Sequence, residues 1–307
     1  MPSAVAIAVL LLLALLVTCS LVTHSLAVML LRPPRMTDGK ALYVLRRMSP
    51  GDLGLPFEPI EFTSRTAAGK LIRIVAWWIA AEAATDRTCI LIHGFGDAKV
   101  GALAWAPIWR SLGWNLLLVD LRAHGESEGV HCTGGYFERD DLDAVIDSLR
   151  ARRPEATKRI ALFGVSLGGA VALATAARRD DIHAVIADAT FADYRRAAII
   201  HARLIGAPLT HLTPLAIRWA ERIAGARFDD VRPLDTIRAS RCPVMLIHGD
   251  ADPFVIDDDV IALTTALRTR GDERDAHLIV PGAGHCMAIV ADPDAYAERL
   301  EAFLRQL

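Results

Sequence analysis

The stretch RIALFGVSLGGAVALATAARR, residues 159–179, decides the fold. Its opening, RIALFG, is a continuous apolar run of strand length, and its close, LGGAVALATAARR, has the length and composition of a helix. Between them Gly164-Val165-Ser166-Leu167-Gly168-Gly169 makes the turn. A serine on a sharp strand-to-helix turn sits in strained backbone, and only small residues two positions to either side leave room for it. The turn projects the hydroxyl outward, and the N–H groups that open the helix face any developing negative charge. The pattern G-x-S-x-G recurs by chance in many chains; a strand before it and a helix after it make it specific.

Outward from this turn the same alternation repeats. Short Leu-rich and β-branched runs at 88–93, 115–120, 183–188, 243–249 and 276–281 read as buried strands, with two further strands at 58–64 and 71–80 joined by a turn around Gly69. Continuous apolar strands alternating with helices predict an α/β fold, a mostly parallel sheet with helices on both faces. Residues 190–232 are too long for one crossover helix and carry two helical stretches punctuated by Pro208 and Pro214. They read either as a helical lid over one edge of the sheet or as ordinary surface packing.

Four further motifs end or follow predicted strands: His93-Gly94-Phe95-Gly96, Asp120-Leu121-Arg122-Ala123-His124-Gly125-Glu126-Ser127, His248-Gly249-Asp250-Ala251-Asp252 and Gly282-Ala283-Gly284-His285. With the serine turn, they resemble the α/β-hydrolase superfamily over roughly residues 56–307, and within it the branch often labelled serine aminopeptidase or Bem-like esterases. One departure is Ala123, where that branch usually has Gly. It changes backbone freedom in the loop and touches no proposed catalytic group.

The superfamily's chain order is nucleophile, acid, histidine. The resemblance therefore implies Ser166 as nucleophile, Asp252 as acid and His285 as base. Asp250 is the nearest rival for the acid, and the resemblance together with Pro253 favours Asp252. His285 stands out among ten histidines by its Gly-rich loop after the last strand. His93, His124 and His248 read as structural. A serine hydroxyl is a poor nucleophile at neutral pH, so His285 would take its proton while Asp252 holds the imidazole and stabilises the imidazolium. The backbone N–H groups of Phe95 and Leu167 would form the oxyanion hole.

This implies a serine hydrolase cleaving a carboxylic ester through an acyl-enzyme, with a lipid or acylglycerol among the candidate substrates. An exopeptidase, an amidase or an acyltransferase would use the same triad, and a scaffold that has lost catalysis is the reading from a different class. No cofactor is implied. The five cysteines show no CxxC spacing, so neither a disulfide framework nor a metal site is indicated. Cys286 reads as a small buried thiol. Asp140, Asp141 and Asp143 fit the start of a helix near 136–152, and Asp257, Asp258 and Asp259 fit another helix start. Trp105 and Trp109 read as core aromatics.

The 307 residues carry a net charge of −2 and show no basic stripe with interleaved aromatics, which excludes nucleic acid as an expected partner. Residues 1–31 contain no Lys, Arg, Asp or Glu. This run is apolar on every face and long enough to cross a bilayer, so residues 1–35 read as a transmembrane anchor, 36–56 as a linker and 57–307 as the catalytic domain. A signal peptide cleaved after Ser25-Leu26-Ala27 is the alternative; the missing basic n-region and the length of the run oppose it. Arg32, Arg35, Lys40, Arg46 and Arg47 follow the run and nothing basic precedes it, which predicts a cytoplasmic catalytic domain. With the boundary at residue 35, the remainder is expected to fold and act alone.

Overall fold

The chain is described over residues 3–307 by a computed structural model. The apolar runs form one sheet of β1 (Glu58–Arg65), β2 (Leu71–Ile79), β3 (Arg87–Ile92), β4 (Asn115–Val119), β5 (Arg159–Val165), β6 (Ala184–Asp188), β7 (Val244–Gly249) and β8 (Ala276–Val280). Their order is β1-β2-β4-β3-β5-β6-β7-β8. The strands from β4 through β3 to β8 run parallel, and β2 runs antiparallel to both β1 and β4. This is the α/β-hydrolase fold.

Strand pleating sorts the core into two layers. Along β3, Ile90 and Ile92 join the layer with Leu162 and Val185, while Cys89 and Leu91 join the opposite layer with Phe163 and Ile186. Helices with apolar stripes cover each face because central parallel strands expose no face to water. The longer helices are α1 (Ala4–Leu31), α2 (Asp38–Leu45), α3 (Glu138–Arg152), α4 (Leu167–Ala176), α5 (Tyr194–Leu204), α6 (Thr213–Ala224), α7 (Asp257–Arg270) and α8 (Pro293–Leu304). α3, α4 and α7 lie on the first face; Tyr296, Leu300 and Phe303 of α8 pack on the second beside Trp109. Thr37 caps α2, accepting from the Lys40 N–H, and acidic first turns stand at α3 and α7.

α1 has two regimes. Up to Val22 its side chains are exposed or nearly so, and this stretch is the candidate membrane span. From Thr23 onward it packs on α6, and Leu26, Ala27 and Leu31 are buried in the first-face core. The Leu31 carbonyl accepts from the Cys132 N–H at 2.7 Å. The helix stops where Pro33 and Pro34 remove N–H donors. The Arg35 guanidinium then donates to the carbonyls of His124, Gly125, Ser127 and Gly129. The end of α1 and the chain just after it are therefore built into the hydrolase body.

Residues 190–232 form α5, α6 and two short 3-10 turns at Thr210–Leu212 and Phe228–Val231. Phe191 and the α5 residues Tyr194, Ala197, Ala198 and His201 roof the cavity that opens on Ser166, and α6 packs beside α5 on α1.

Candidate active site

Ser166 stands between β5 and α4 with φ 54° and ψ −115°, outside the region that non-glycine residues favour. Two close approaches dictate the sequence around it. A Cβ on Gly164 would overlap the Gly168 carbonyl, and one on Gly168 would overlap the Ile92 carbonyl of β3. The strained turn is braced from β6: the Ser166 N–H donates to the Asp188 carbonyl at 2.8 Å, and the Thr190 hydroxyl donates to the Ser166 carbonyl at 2.9 Å.

His285, on the loop after β8, reaches this serine from 119 residues away along the chain. Its Nε2 lies 3.0 Å from Ser166 Oγ, and its Nδ1 donates to Asp252 Oδ2 at 2.7 Å. Asp252, on the loop after β7, is nearly fully buried. Its Oδ1 accepts from the N–H groups of Phe254 and Val255 at 2.8 and 3.1 Å, which fixes the carboxylate and leaves Oδ2 for the imidazole. This pairing puts the neutral ring's proton on Nδ1 and turns the Nε2 lone pair toward the hydroxyl.

Asp250 has a different neighbour: its Oδ1 accepts from the Gly282 N–H at 2.6 Å and so shapes the loop that carries His285. The three other singled-out histidines are tied to backbone. His93 donates through Nδ1 to the Gly94 carbonyl and accepts through Nε2 from the Leu121 N–H. His124 donates to the Arg122 carbonyl, and His248 to the Thr190 carbonyl. Burial lowers the pKa of each, so all three stay neutral at physiological pH.

The Leu167 N–H opens α4 and the Phe95 N–H lies on the loop after β3; neither donates to a partner among the described residues. That loop is held by a buried cluster. Asp120, at the end of β4, accepts from the Lys99 N–H and Nζ at 2.6 and 2.7 Å and from the Glu126 N–H at 2.9 Å. Lys99 Nζ also meets Glu126 and lies over the Trp77 ring.

Above Ser166 lies a cavity of about 330 Å³ with largely apolar walls, among them Phe95, Val165, Leu167, Phe191, Ala198 and Phe254. Several of its residues were not foreseen from sequence. Leu30 comes from α1, His201 from α5, and Asp97 from the Phe95 loop, its carboxyl pushed up to about 6 by burial. Cys286 also faces the cavity, its thiol pushed up by burial. Asp188, fully buried beneath the site, accepts from the Tyr296 hydroxyl at 2.9 Å, and burial raises its pKa to about 7. Its one sequence signal, an acid at a strand's C-terminal edge, is shared with Asp120.

Residues 130–307 match the model of the prolyl oligopeptidase family. The chain is 28% identical over 253 residues to the uncharacterized protein YqkD of Bacillus subtilis, covering 81% of each. It is 30% identical over 149 residues to an uncharacterized membrane protein of Saccharomyces cerevisiae, covering 48% of this chain and 50% of that one. Among solved structures, an esterase of Pyrococcus furiosus superposes with TM-score 0.71 at 23% identity, over 90% of this chain and 98% of that one. The acylaminoacyl peptidase of Pyrococcus horikoshii superposes with TM-score 0.57 at 16% identity, over 87% of this chain and 42% of that one.

Proposed function

Because the chain belongs to the prolyl oligopeptidase family and is a serine hydrolase of α/β fold, we propose that it cleaves a carboxylic ester through an acyl-enzyme on Ser166. The observation that carries this reading is the continuous hydrogen-bonded line from Asp252 through His285 to Ser166. Along that line His285 takes the hydroxyl proton as Ser166 Oγ attacks the acyl carbon, and Asp252 stabilises the imidazolium. The tetrahedral oxyanion takes the Leu167 and Phe95 N–H groups, donors typically worth about 3 kcal/mol each in barrier height. His285 then hands its proton to the departing alkoxide. Water, activated by the same imidazole, releases the acid and restores Ser166.

The apolar walls support an acyl group of aliphatic character, as in a lipid or acylglycerol. A peptidase or amidase is the second reading, favoured by the matched family and by the peptidase among the structural neighbours. Asp97 is the carboxyl side chain among the cavity's lining residues, and it is the group that would pair with the free amino terminus of a peptide substrate. The apolar helix holds the enzyme at a membrane, with the catalytic domain on the cytoplasmic side. The five basic residues at 32–47 support this, as does the description of the yeast relative as a membrane protein.

A fluorophosphonate probe tests the nucleophile: labelling that disappears in Ser166→Ala supports the enzyme, and a folded but unlabelled wild type supports a scaffold instead. A panel of p-nitrophenyl esters beside aminoacyl anilides then separates ester from amide cleavage. Anilide turnover above ester turnover would make the protein a peptidase or amidase first.

A further inference from the structure

We propose that the acyl chain of a bilayer lipid ester reaches Ser166 sideways, through an apolar passage between the end of α1 and the roof helix α5. The inference rests on the esterase reading above and adds the class and route of the substrate.

The level of the membrane follows from α1. Residues 4–22, before the first buried position at Thr23, make about 29 Å of helix at 1.5 Å per residue, which matches the ~30 Å hydrocarbon layer. Thr23 and His24 therefore stand at the edge of the hydrocarbon. Here the Trp219 indole N–H of α6 donates to His24 Nδ1 at 3.1 Å, a half-exposed Trp at the depth where such rings settle. Leu215, four residues before Trp219, shares its exposed face, and Leu204, Ile205 and Leu209 extend the apolar surface of the roof. The roof rests on the membrane beside the helix.

A second cavity, of about 240 Å³, opens at this level. Leu26, Met29 and Leu30 of α1 wall it on one side, Ala202 of α5 and Ile205 just past its end on the other. Leu26 lies one helical turn past Thr23, within the interfacial layer where lipid ester groups reside. The cavity abuts the one above Ser166 across Leu30, Phe95, Ala198 and His201, which line both. The His201 ring packs against Phe95 and Phe254, and burial keeps it neutral, so the partition is an uncharged side-chain gate. A chain that enters beside Leu26 passes this gate and presents its ester to the hydroxyl without crossing water.

Full-length protein in phosphatidylcholine vesicles tests the route. The readout is the ratio of kcat/KM for p-nitrophenyl hexadecanoate to that for the butanoate, in Ala202→Trp and in the half-exposed, more tolerant Ile205→Trp. Filling the outer cavity is expected to lower the ratio at least about tenfold, equivalent to about 1.4 kcal/mol. A ratio unchanged in both variants overturns the passage. A hexadecyl fluorophosphonate with a terminal diazirine supplies an independent measurement. Once it is attached to Ser166 and photolysed, cross-links to peptides 26–34 and 198–207 support the passage, and cross-links confined to other walls overturn it. Wild type that cleaves both esters while these results fail removes the route alone. Wild type that cleaves neither ester and takes no probe removes the esterase reading and the route together.

Discussion

Arg35 donates to the carbonyl of Ser127 at 2.7 Å, and the same guanidinium gathers the carbonyls of His124, Gly125 and Gly129. Carbonyls turned inward around one cation leave the loop without its centre when the cation goes. Charged hydrogen bonds of this kind are each worth roughly 1.5–3 kcal/mol, less where water replaces the donor. Arg35→Ala is expected to cost about 2 kcal/mol, read from the denaturant midpoint at unchanged m-value.

Truncation separates the two regimes of α1. Among the described residues, removing residues up to 21 takes away no side chain buried in the hydrolase body, so the shortened protein keeps its thermal midpoint in detergent. Removing residues 1–35 also strips Leu26, Ala27, Leu31 and Arg35 from the body. At ~1.5–3 kcal/mol per buried Leu, this deletion is expected to cost about 5 kcal/mol and to melt well below the shorter one. Equal midpoints for the two deletions would show that the helix end is dispensable.

The catalytic line predicts a graded loss. His285→Ala removes the base and should lower kcat by several orders of magnitude with the fold intact, and Ser166→Ala/His285→Ala should be little worse than either change alone, because the groups act as a unit. Asp252→Asn keeps an acceptor for the Phe254 and Val255 N–H groups but disturbs the tautomer, and is expected to cost about 10³–10⁴ in kcat. A loss under tenfold in Asp252→Asn would move the acid elsewhere, with Asp188 the next residue to replace.

Much of this was legible in the chain, for physical reasons. Strands β3 to β7 are short apolar runs because parallel strands buried on both faces admit nothing else, whereas β1, antiparallel at the edge, alternates buried and exposed residues; the spacing of Gly164, Ser166 and Gly168 is imposed by backbone contacts with β3 and within the turn. Ala123, the departure from the pattern of similar enzymes, takes φ 61°, the left-handed backbone that Gly would adopt more easily. The strand order and the antiparallel β2 were not legible, since burial alone carries no pairing register. The split of α1 was hidden as well. Leu26, Ala27 and Leu31 are as apolar as the exposed residues before them, so composition cannot say where the exposed stretch ends and the protein core begins. Leu30, His201 and Asp188 entered the site for the same reason: distant segments meet there without a local motif to announce it.

The Lys99–Asp120 pair, both side chains nearly fully buried, joins the loop that offers the Phe95 N–H to the loop after β4. Lys99→Met would leave a buried carboxylate with only two backbone donors, at a cost of about 3 kcal/mol or more. Lys99→Met/Asp120→Asn should cost less than the two single changes added together, because the stranded charge is gone. Strict additivity in chemical denaturation would show that the pair is uncoupled.

Asp188 should make stability depend on pH. Burial raises its pKa from 3.8 to about 7, so the folded state holds the proton more tightly than the unfolded chain. Its favourable contribution is complete below about pH 4 and is lost as the pH rises through 7. At pH 8 the folded protein carries an ionised carboxylate fully out of water, with the Tyr296 hydroxyl on Oδ2 and the Trp105 indole N–H close by. Asp188→Asn keeps the acceptor for Tyr296 and cannot ionise. Its gain over wild type should therefore grow from pH 5 to pH 8, toward an upper bound of about 4 kcal/mol set by the shift. Thermal melts of both proteins across that range decide the point: a difference that stays flat, or that favours wild type more at pH 8 than at pH 5, means the carboxylate is ionised throughout.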